Sequence, residues 1–153
     1  MPRVRTGVHI DVDVHDAIEG VELVEAKLAH LEIPLADIAL LWSEHIGYLF
    51  ATAPWPGLKA STLAIKAEQG YPSDPLVRTS GLKDATTGGQ WQIHGGVGQA
   101  VARLGYPRHG IFHVTGFVHH SAGWVPARDW SMLDEPTVMK MVEAFGDYLT
   151  EGL

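Results

Sequence analysis

The chain has 153 residues, of which 46% are hydrophobic and 19% are charged, and it contains no cysteine. This length fits one globular domain with a sizeable core and leaves no room for two typical domains. The formal net charge of −7, with only 11 Lys and Arg, argues against binding of nucleic acid through its phosphates, because that requires clustered cations. The lack of cysteine excludes disulfides, thiolate catalysis and iron–sulfur or Cys-containing zinc sites.

The first third of the sequence predicts a strand followed by two helices. Apolar and polar residues alternate strictly over residues 8–14, which is the two-residue period of a half-buried strand. After Asp16, a plausible helix cap, apolar residues recur every three or four positions over residues 18–31, and acidic residues occupy the opposite face. A second helical pattern covers residues 35–53 and ends at the proline-rich residues 54–57. We expect both helices to cover one sheet.

The remainder of the chain predicts short strands and a final helix. Residues 58–81 indicate a long surface loop containing a short helix. Residues 82–104 alternate in short pieces, which predicts antiparallel strands with turns at the glycine pairs 88–89 and 95–96. Residues 136–150 predict a C-terminal amphipathic helix that starts at a proline. The predicted fold is α+β, with an antiparallel sheet of about four strands packed against the two N-terminal helices and the C-terminal helix.

Several residue clusters could carry chemistry. Four of the nine histidines, His109, His113, His119 and His120, lie within a dozen residues and suggest a metal-dependent hydrolase as one hypothesis. Their spacing matches no understood zinc motif, and surface histidines give the same pattern. The pair Asp11 and Asp13 shares one face of the first predicted strand, where paired carboxylates could act as acid and base or hold Mg²⁺. A solvated strand face also produces that pattern.

Three of the five tryptophans, Trp55, Trp124 and Trp130, lie in proline-rich or loop-like surroundings. Large aromatic side chains in such positions often anchor subunit contacts. Packing of a loop onto its own domain is the alternative, and the sequence alone does not choose between the two.

Three segments in succession resemble the phage virion-morphogenesis family of neck and tail-completion proteins. The first is WPGL at residues 55–58, followed by STL at 61–63 and by Lys66; the second is PLVRTSGLKD at residues 75–84. The third is HVTG at residues 113–116, followed by VPARDW at 125–130. Their order and spacing cover nearly the whole chain, between the two early helices and the late one.

The resemblance implies a small α+β subunit that forms a ring at the head–tail junction of a tailed phage or related particle. Its role would be that of a neck, tail-completion or tail-terminator protein, with no catalysis and no cofactor. The implied partners are further copies of the chain, in a hexamer or dodecamer, together with the adjacent head-completion or connector and tail-tube proteins. The implied location is the virion, after synthesis in the cytoplasm of the bacterial host, and no signal peptide or membrane-length apolar run is evident.

The motif residues are the candidates for contacts between subunits or with neighbouring proteins. Arg128 has a forked donor suited to a carboxylate on a neighbouring subunit, and Trp130 offers a rigid anchor. The full candidate set comprises Trp55, Leu58, Leu63, Lys66, Leu76, Thr79, Leu82, His113, Pro126, Arg128 and Trp130. A channel for sliding DNA should repel phosphates, so we expect some acids of the first fifty residues to face the lumen, with Asp11, Asp13, Glu19, Glu22 and Glu25 as candidates.

Overall fold

A computed structural model of the chain describes residues 15–78, 80–88, 91–108, 110–119 and 123–152. The helices are α1 (His15–Leu28), α2 (Glu32–Thr52), α3 (Ala60–Glu68), α4 (Gly81–Thr87), α5 (Gly110–Thr115) and α6 (Glu135–Thr150). The strands are β1 (Trp91–Gly96), β2 (Gln99–Leu104), β3 (Phe117–His119) and β4 (Gly123–Val125). The chain is therefore α+β, as predicted. The predicted strand at residues 8–14 lies outside the described residues.

Helix α2 packs against more of the other described elements than any other element does. It contacts α4, α6 and both strands of the β1–β2 hairpin. Pro34 lies in its first turn, where the missing N–H of proline is tolerated. At its end, Ala53 adopts a left-handed conformation with φ of 43° and donates its N–H to the Leu49 carbonyl at 2.8 Å. This closes the helix before Pro54, which cannot continue it.

The hydrophobic core lies beside the second half of α2. Its most buried members are Ile46, Phe50, Leu82 and Trp130, none of which is more than 6% exposed. Trp55 packs edge-on against Phe50, with ring centroids 5.5 Å apart. The core therefore joins α2 to α4 and to the segment that precedes α6, so the C-terminal half of α2 is held by residues distant in sequence.

The sheet prediction was wrong in extent. The described strands form two separate antiparallel pairs, β1 with β2 and β3 with β4, instead of one sheet of about four strands. The β1–β2 turn lies at Val97 and Gly98. Gly98 has a φ of 70°, a backbone conformation that favours glycine. Gly95 belongs to β1 and faces Glu32 so closely that a Cβ atom at this position would overlap the Glu32 carboxylate. The missing side chain of Gly95 therefore lets β1 approach α2 closely, and Gly95 does not form the predicted turn.

Two short helices, α4 and α5, lie where the sequence predicted no helix. Helix α4 occupies the start of the segment predicted as strands, and its buried Thr86 hydroxyl is satisfied by donating to the Leu82 carbonyl at 2.8 Å. Helix α5 occupies a segment rich in His and Gly for which the sequence predicted no helix. Both helices have fewer than eight residues, so neither contains enough turns to produce a clear hydrophobic period.

Helix α6 packs on α2 instead of covering a sheet. The His45 ring connects them, since its Nε2 lies 2.9 Å from the Met132 carbonyl and its Nδ1 lies 3.0 Å from the Thr137 hydroxyl. The C-terminal end of α6 meets the last turns of α1, where the Tyr148 hydroxyl donates to the Lys27 carbonyl at 3.1 Å. Within the described part of the chain, no helix has both the length and the apolar character of a membrane span.

Candidate functional site

The segments before α3 and before α6 are linked by side chains that bind backbone carbonyls. Trp55 donates from its indole N–H to the Asp129 carbonyl at 3.0 Å. In the opposite direction, Arg128 donates from Nε to the Pro56 carbonyl at 3.0 Å and from Nη2 to the Gly57 carbonyl at 3.3 Å. Two parts of the chain more than seventy residues apart are therefore cross-linked by three hydrogen bonds.

Arg128 serves the subunit's own structure, and its predicted contact with a neighbouring carboxylate stays a prediction. Arg128 is only 6% exposed, and its backbone N–H donates to the His113 carbonyl at 2.6 Å. Burial lowers the pKa of Arg128, and the guanidinium nevertheless stays protonated because its ordinary pKa is so high. The guanidinium donates to two carbonyls at once, and the single ammonium group of a lysine would not reproduce this planar arrangement of donors.

Two further predicted contact residues are also buried inside the subunit. Leu82 and Trp130 are each 3% exposed and belong to the core. The Trp130 indole N–H donates to the Gly110 carbonyl at 3.0 Å, and its ring packs edge-on against Tyr106 at a centroid distance of 5.0 Å. Trp130 thus anchors the segment before α6 to its own domain, as the alternative of packing within the domain predicted for it, and Leu82 belongs to the same core.

Lys66 holds the loop at residues 71–78 against α3. Its ammonium group donates to the Asp74 carbonyl at 2.7 Å and to the Val77 carbonyl at 2.6 Å. Desolvation lowers the pKa of Lys66, and the negative charge of Asp74 acts in the opposite direction. Within this loop Leu76 has a φ of 64°, a conformation that is strained for a residue with a Cβ. The lysine bonds and the packing of Leu76 against the core hold the loop in that shape.

A groove of about 900 Å³ lies between α3 and the 71–78 loop; we call it the α3 groove. Leu58, Thr62, Ile65, Lys66 and Gln69 line one wall at helical spacing. A hollow of about 280 Å³ adjoins it and adds Trp124, Pro126 and Arg128 to the lining. The two spaces share four residues, which are Leu58, Thr62, Leu76 and His113. Six of the eleven predicted contact residues line this surface, and Trp55 contacts the third segment beside it through the Asp129 carbonyl.

The charge of the α3 groove is opposite to that of the chain as a whole. Among its described lining residues there is no Asp or Glu, whereas Lys66 and Arg78 both contribute positive charge. The Arg78 guanidinium lies over the Tyr71 ring, 5.0 Å from its centroid, which keeps the cation at the rim. Asp74, whose negative charge raises the pKa of Lys66, lies in the neighbouring loop and is not a lining residue. On a chain of net charge −7, this surface is both apolar and cationic.

Sequence reasoning missed several residues of this surface. Ile65 is 53% exposed and lines the α3 groove without having been a candidate. Trp124, one of the three tryptophans in loop-like surroundings, was not in the candidate set; it is 59% exposed and lines the adjoining hollow. The spacing of Leu58, Ile65 and Gln69 was a signal that one face of α3 has a common environment. Leu63, by contrast, is on α3 but is not a lining residue. Thr79 lies outside the described residues.

The histidine hypothesis finds no support in the described residues. His109 and His120 lie outside them, and of His119 only the backbone is described. Among the described side chains, no group of three or more His, Asp or Glu is placed to hold a metal ion. His113 is half-buried at the bottom of the α3 groove, beside Phe117, with ring centroids 6.0 Å apart. Asp11 and Asp13 also lie outside the described range, while Glu22 and Glu25 are exposed on α1.

Comparison of this chain with protein-family models, with curated proteins and with solved structures finds no match.

Proposed function

We propose that this protein is a structural subunit of a tailed bacteriophage or a related particle. Copies of the chain form a ring at the head–tail junction, where they act in tail completion or termination and in joining heads to tails. DNA passes through the lumen without sequence-specific binding. The neighbours of the ring are head-completion or connector proteins on one side and tail-tube proteins on the other.

The observation that carries the proposal is the convergence of the three segments that resemble the virion-morphogenesis family. Trp55, Arg128 and Lys66 each bond to a carbonyl of another part of these segments. Residues that match a family pattern by chance have no reason to contact one another. Here they form one connected scaffold under the α3 groove, which supports a common structural purpose for them.

The distribution of apolar side chains supports an assembling subunit. Eighteen large hydrophobic residues are exposed among the described residues, whereas eight hydrophobic residues are buried. A subunit that leaves so much apolar surface uncovered is expected to cover part of it by association. The net charge of −7 fits a ring through which DNA slides, because a negative wall repels phosphates.

The proposal is tested in particles and in solution. Loss of the gene product should cause unattached heads and tails to accumulate, and imaging of intact particles should place the chain in a ring at their junction. The purified chain should reach the mass of a closed ring at high concentration or in the presence of the neighbouring ring. Complete infectious particles made without the chain would contradict the proposal, as would stoichiometric Zn²⁺ that is lost on replacing His113.

A further inference from the structure

We propose that the α3 groove of one subunit binds helix α1 of the next subunit in the ring. The inference rests on the proposed ring and names the two surfaces that would form its repeating contact. One surface is the cationic and apolar α3 groove, and the other is an acidic and apolar face of α1.

The groove has the chemistry of a receptor for an acidic amphipathic helix. Leu58 and Ile65 provide apolar wall, and Trp124 offers a large exposed ring in the adjoining hollow. Lys66 and Arg78 supply positive charge, and no Asp or Glu is among the described lining residues. Aromatic side chains surrounded by such apolar surface are the usual anchors of protein interfaces, and the charge favours an acidic partner.

Helix α1 presents the complementary face. Ile18, Val21, Glu22 and Glu25 are spaced by three, four and seven positions from the first, which places them on one side of the helix. This corrects the prediction that the acidic residues lie opposite the apolar ones. All four are exposed, Ile18 at 51% and Val21 at 60%. The sequence predicted that Ile18 and Val21 would be buried in the domain. They are exposed because the contacts of α1 with α6 involve the other side of the helix and its last turns, as Lys27 shows.

The two surfaces lie at opposite ends of α2. Helix α1 joins the N-terminal end of α2 through residues 29–31, whereas the groove begins at Leu58, just after the C-terminal end. The 21 residues of α2 span about 30 Å at 1.5 Å per residue. No residue of α1 is among the described lining residues of the groove or of the adjoining hollow, so a subunit does not place α1 in its own groove. Two different, complementary patches on one chain join copies head to tail, which is the contact that closes into a ring when the rotation between copies permits.

This placement gives Glu22 and Glu25 a role at the subunit contact instead of the lumen position predicted from the sequence. In the contact, their carboxylates would approach the rim around Arg78, whose guanidinium is exposed over Tyr71. An acidic segment of another protein is the competing occupant of the groove, and cross-linking separates the two.

Cysteine cross-linking tests the contact directly, because the chain has no cysteine of its own. A chain with both Val21→Cys and Ile65→Cys should form disulfide-linked dimers and higher multimers under mild oxidation. The control pairs Ile65→Cys with Met139→Cys, which replaces an equally exposed residue of α6 and should give no such ladder. The reaction is run on the purified chain and on isolated particles.

Charge reversal provides the second measurement. Glu22→Lys with Glu25→Lys, or Arg78→Glu alone, should each weaken self-association about tenfold or more, whereas the exposed Glu143→Lys on α6 should not. All three reversals in one chain should restore association, because the attraction returns with opposite signs. Damage to folding would add up and would not cancel in this way.

The outcomes separate this inference from the proposed function. If rings form but the ladder from positions 21 and 65 is absent and the charge variants assemble normally, the inference is overturned and the ring remains. If the cysteine introduced at position 65 cross-links to a different protein in particles, the groove has the competing occupant and the inference is overturned. If the chain neither associates nor is present at the particle junction, both proposals fail.

Discussion

Replacing Arg128 with methionine should destabilise the isolated subunit and not only its assembly. The guanidinium makes two hydrogen bonds to carbonyls of Pro56 and Gly57, and bonds from a charged donor contribute about 1.5–3 kcal/mol each. Part of this loss is offset, because the substitution also removes a buried charge. In addition, the Pro56 and Gly57 carbonyls belong to exposed residues, so water can reach them in the variant. We therefore expect the free energy of unfolding to fall by about 2–3 kcal/mol.

The assay is urea denaturation at two protein concentrations, one low enough to keep the chain monomeric and one at which the chain self-associates. A loss of about 2 kcal/mol lowers the midpoint by roughly 1 M urea for a domain of this size. Arg128→Lys should recover only part of the loss, since one ammonium group does not reproduce the fork that spans Pro56 and Gly57. Arg103→Met, on the exposed face of β2, is the control and should stay within about 0.5 kcal/mol of wild type.

A result within about 0.5 kcal/mol of wild type for Arg128→Met would refute the reasoning. If that variant instead folded normally and lost only its self-association, Arg128 would have the role first predicted from the sequence. Comparison of the two protein concentrations separates these cases, because assembly contributes stability that depends on concentration and the internal bonds do not.

Lys66→Met should release the 71–78 loop and raise the rate of trypsin cleavage after Arg78 about tenfold or more, because two bonds from a charged donor are lost. Asp134 caps α6, and hydrogen bonds from Thr137 lower the pKa of its carboxyl below the ordinary value of 3.8. The stabilisation is present above that ordinary value and is lost as the pH falls through the folded-state pKa, so the stability difference between wild type and Asp134→Ala should shrink in acid. Gly116→Ala should cost about 1–3 kcal/mol in urea denaturation, because φ is +73° and the new Cβ would lie 2.9 Å from the Trp124 ring.

Each of these has a matched control or a contradicting result. Lys83→Met, at an exposed position on α4, should leave trypsin cleavage of the loop unchanged. A constant difference between wild type and Asp134→Ala from neutral to acidic pH would show that its charge does not matter. Gly105→Ala, where a Cβ meets no atom within 4 Å, should be nearly neutral, and an equal loss at both glycines would contradict the argument from strain.

Long periodic segments of the sequence predicted their elements well. Helices α2 and α6 were found from repeated apolar positions and from their end signals, such as Pro136 in the first turn of α6. Helix α3 and the β1–β2 hairpin were also predicted within a few residues. These features are local, because helix or strand periodicity and terminal residues act on neighbours within a few positions.

Short or context-dependent features were missed. Helices α4 and α5 are too short for a hydrophobic period, and the glycines at 95 and 96 were taken for a turn because close approach to α2 cannot be seen from neighbouring residues. The prediction that Ile18 and Val21 face the core followed from their spacing alone. Spacing places residues on a common side of a helix, but it does not tell which side meets the rest of the domain.

The sequence by itself determined that this chain is α+β, with two early helices and a late one, and it marked three segments whose residues contact one another in the structure. Only the tertiary structure decided what those residues do. It turned Arg128 and Trp130 inward, gathered Leu58, Lys66 and His113 around one groove, and left α1 exposed at the far end of α2. The physical reason is range: helix and strand patterns act over a few residues, whereas a hydrogen bond needs a partner within about 3 Å, and long-range folding selects that partner.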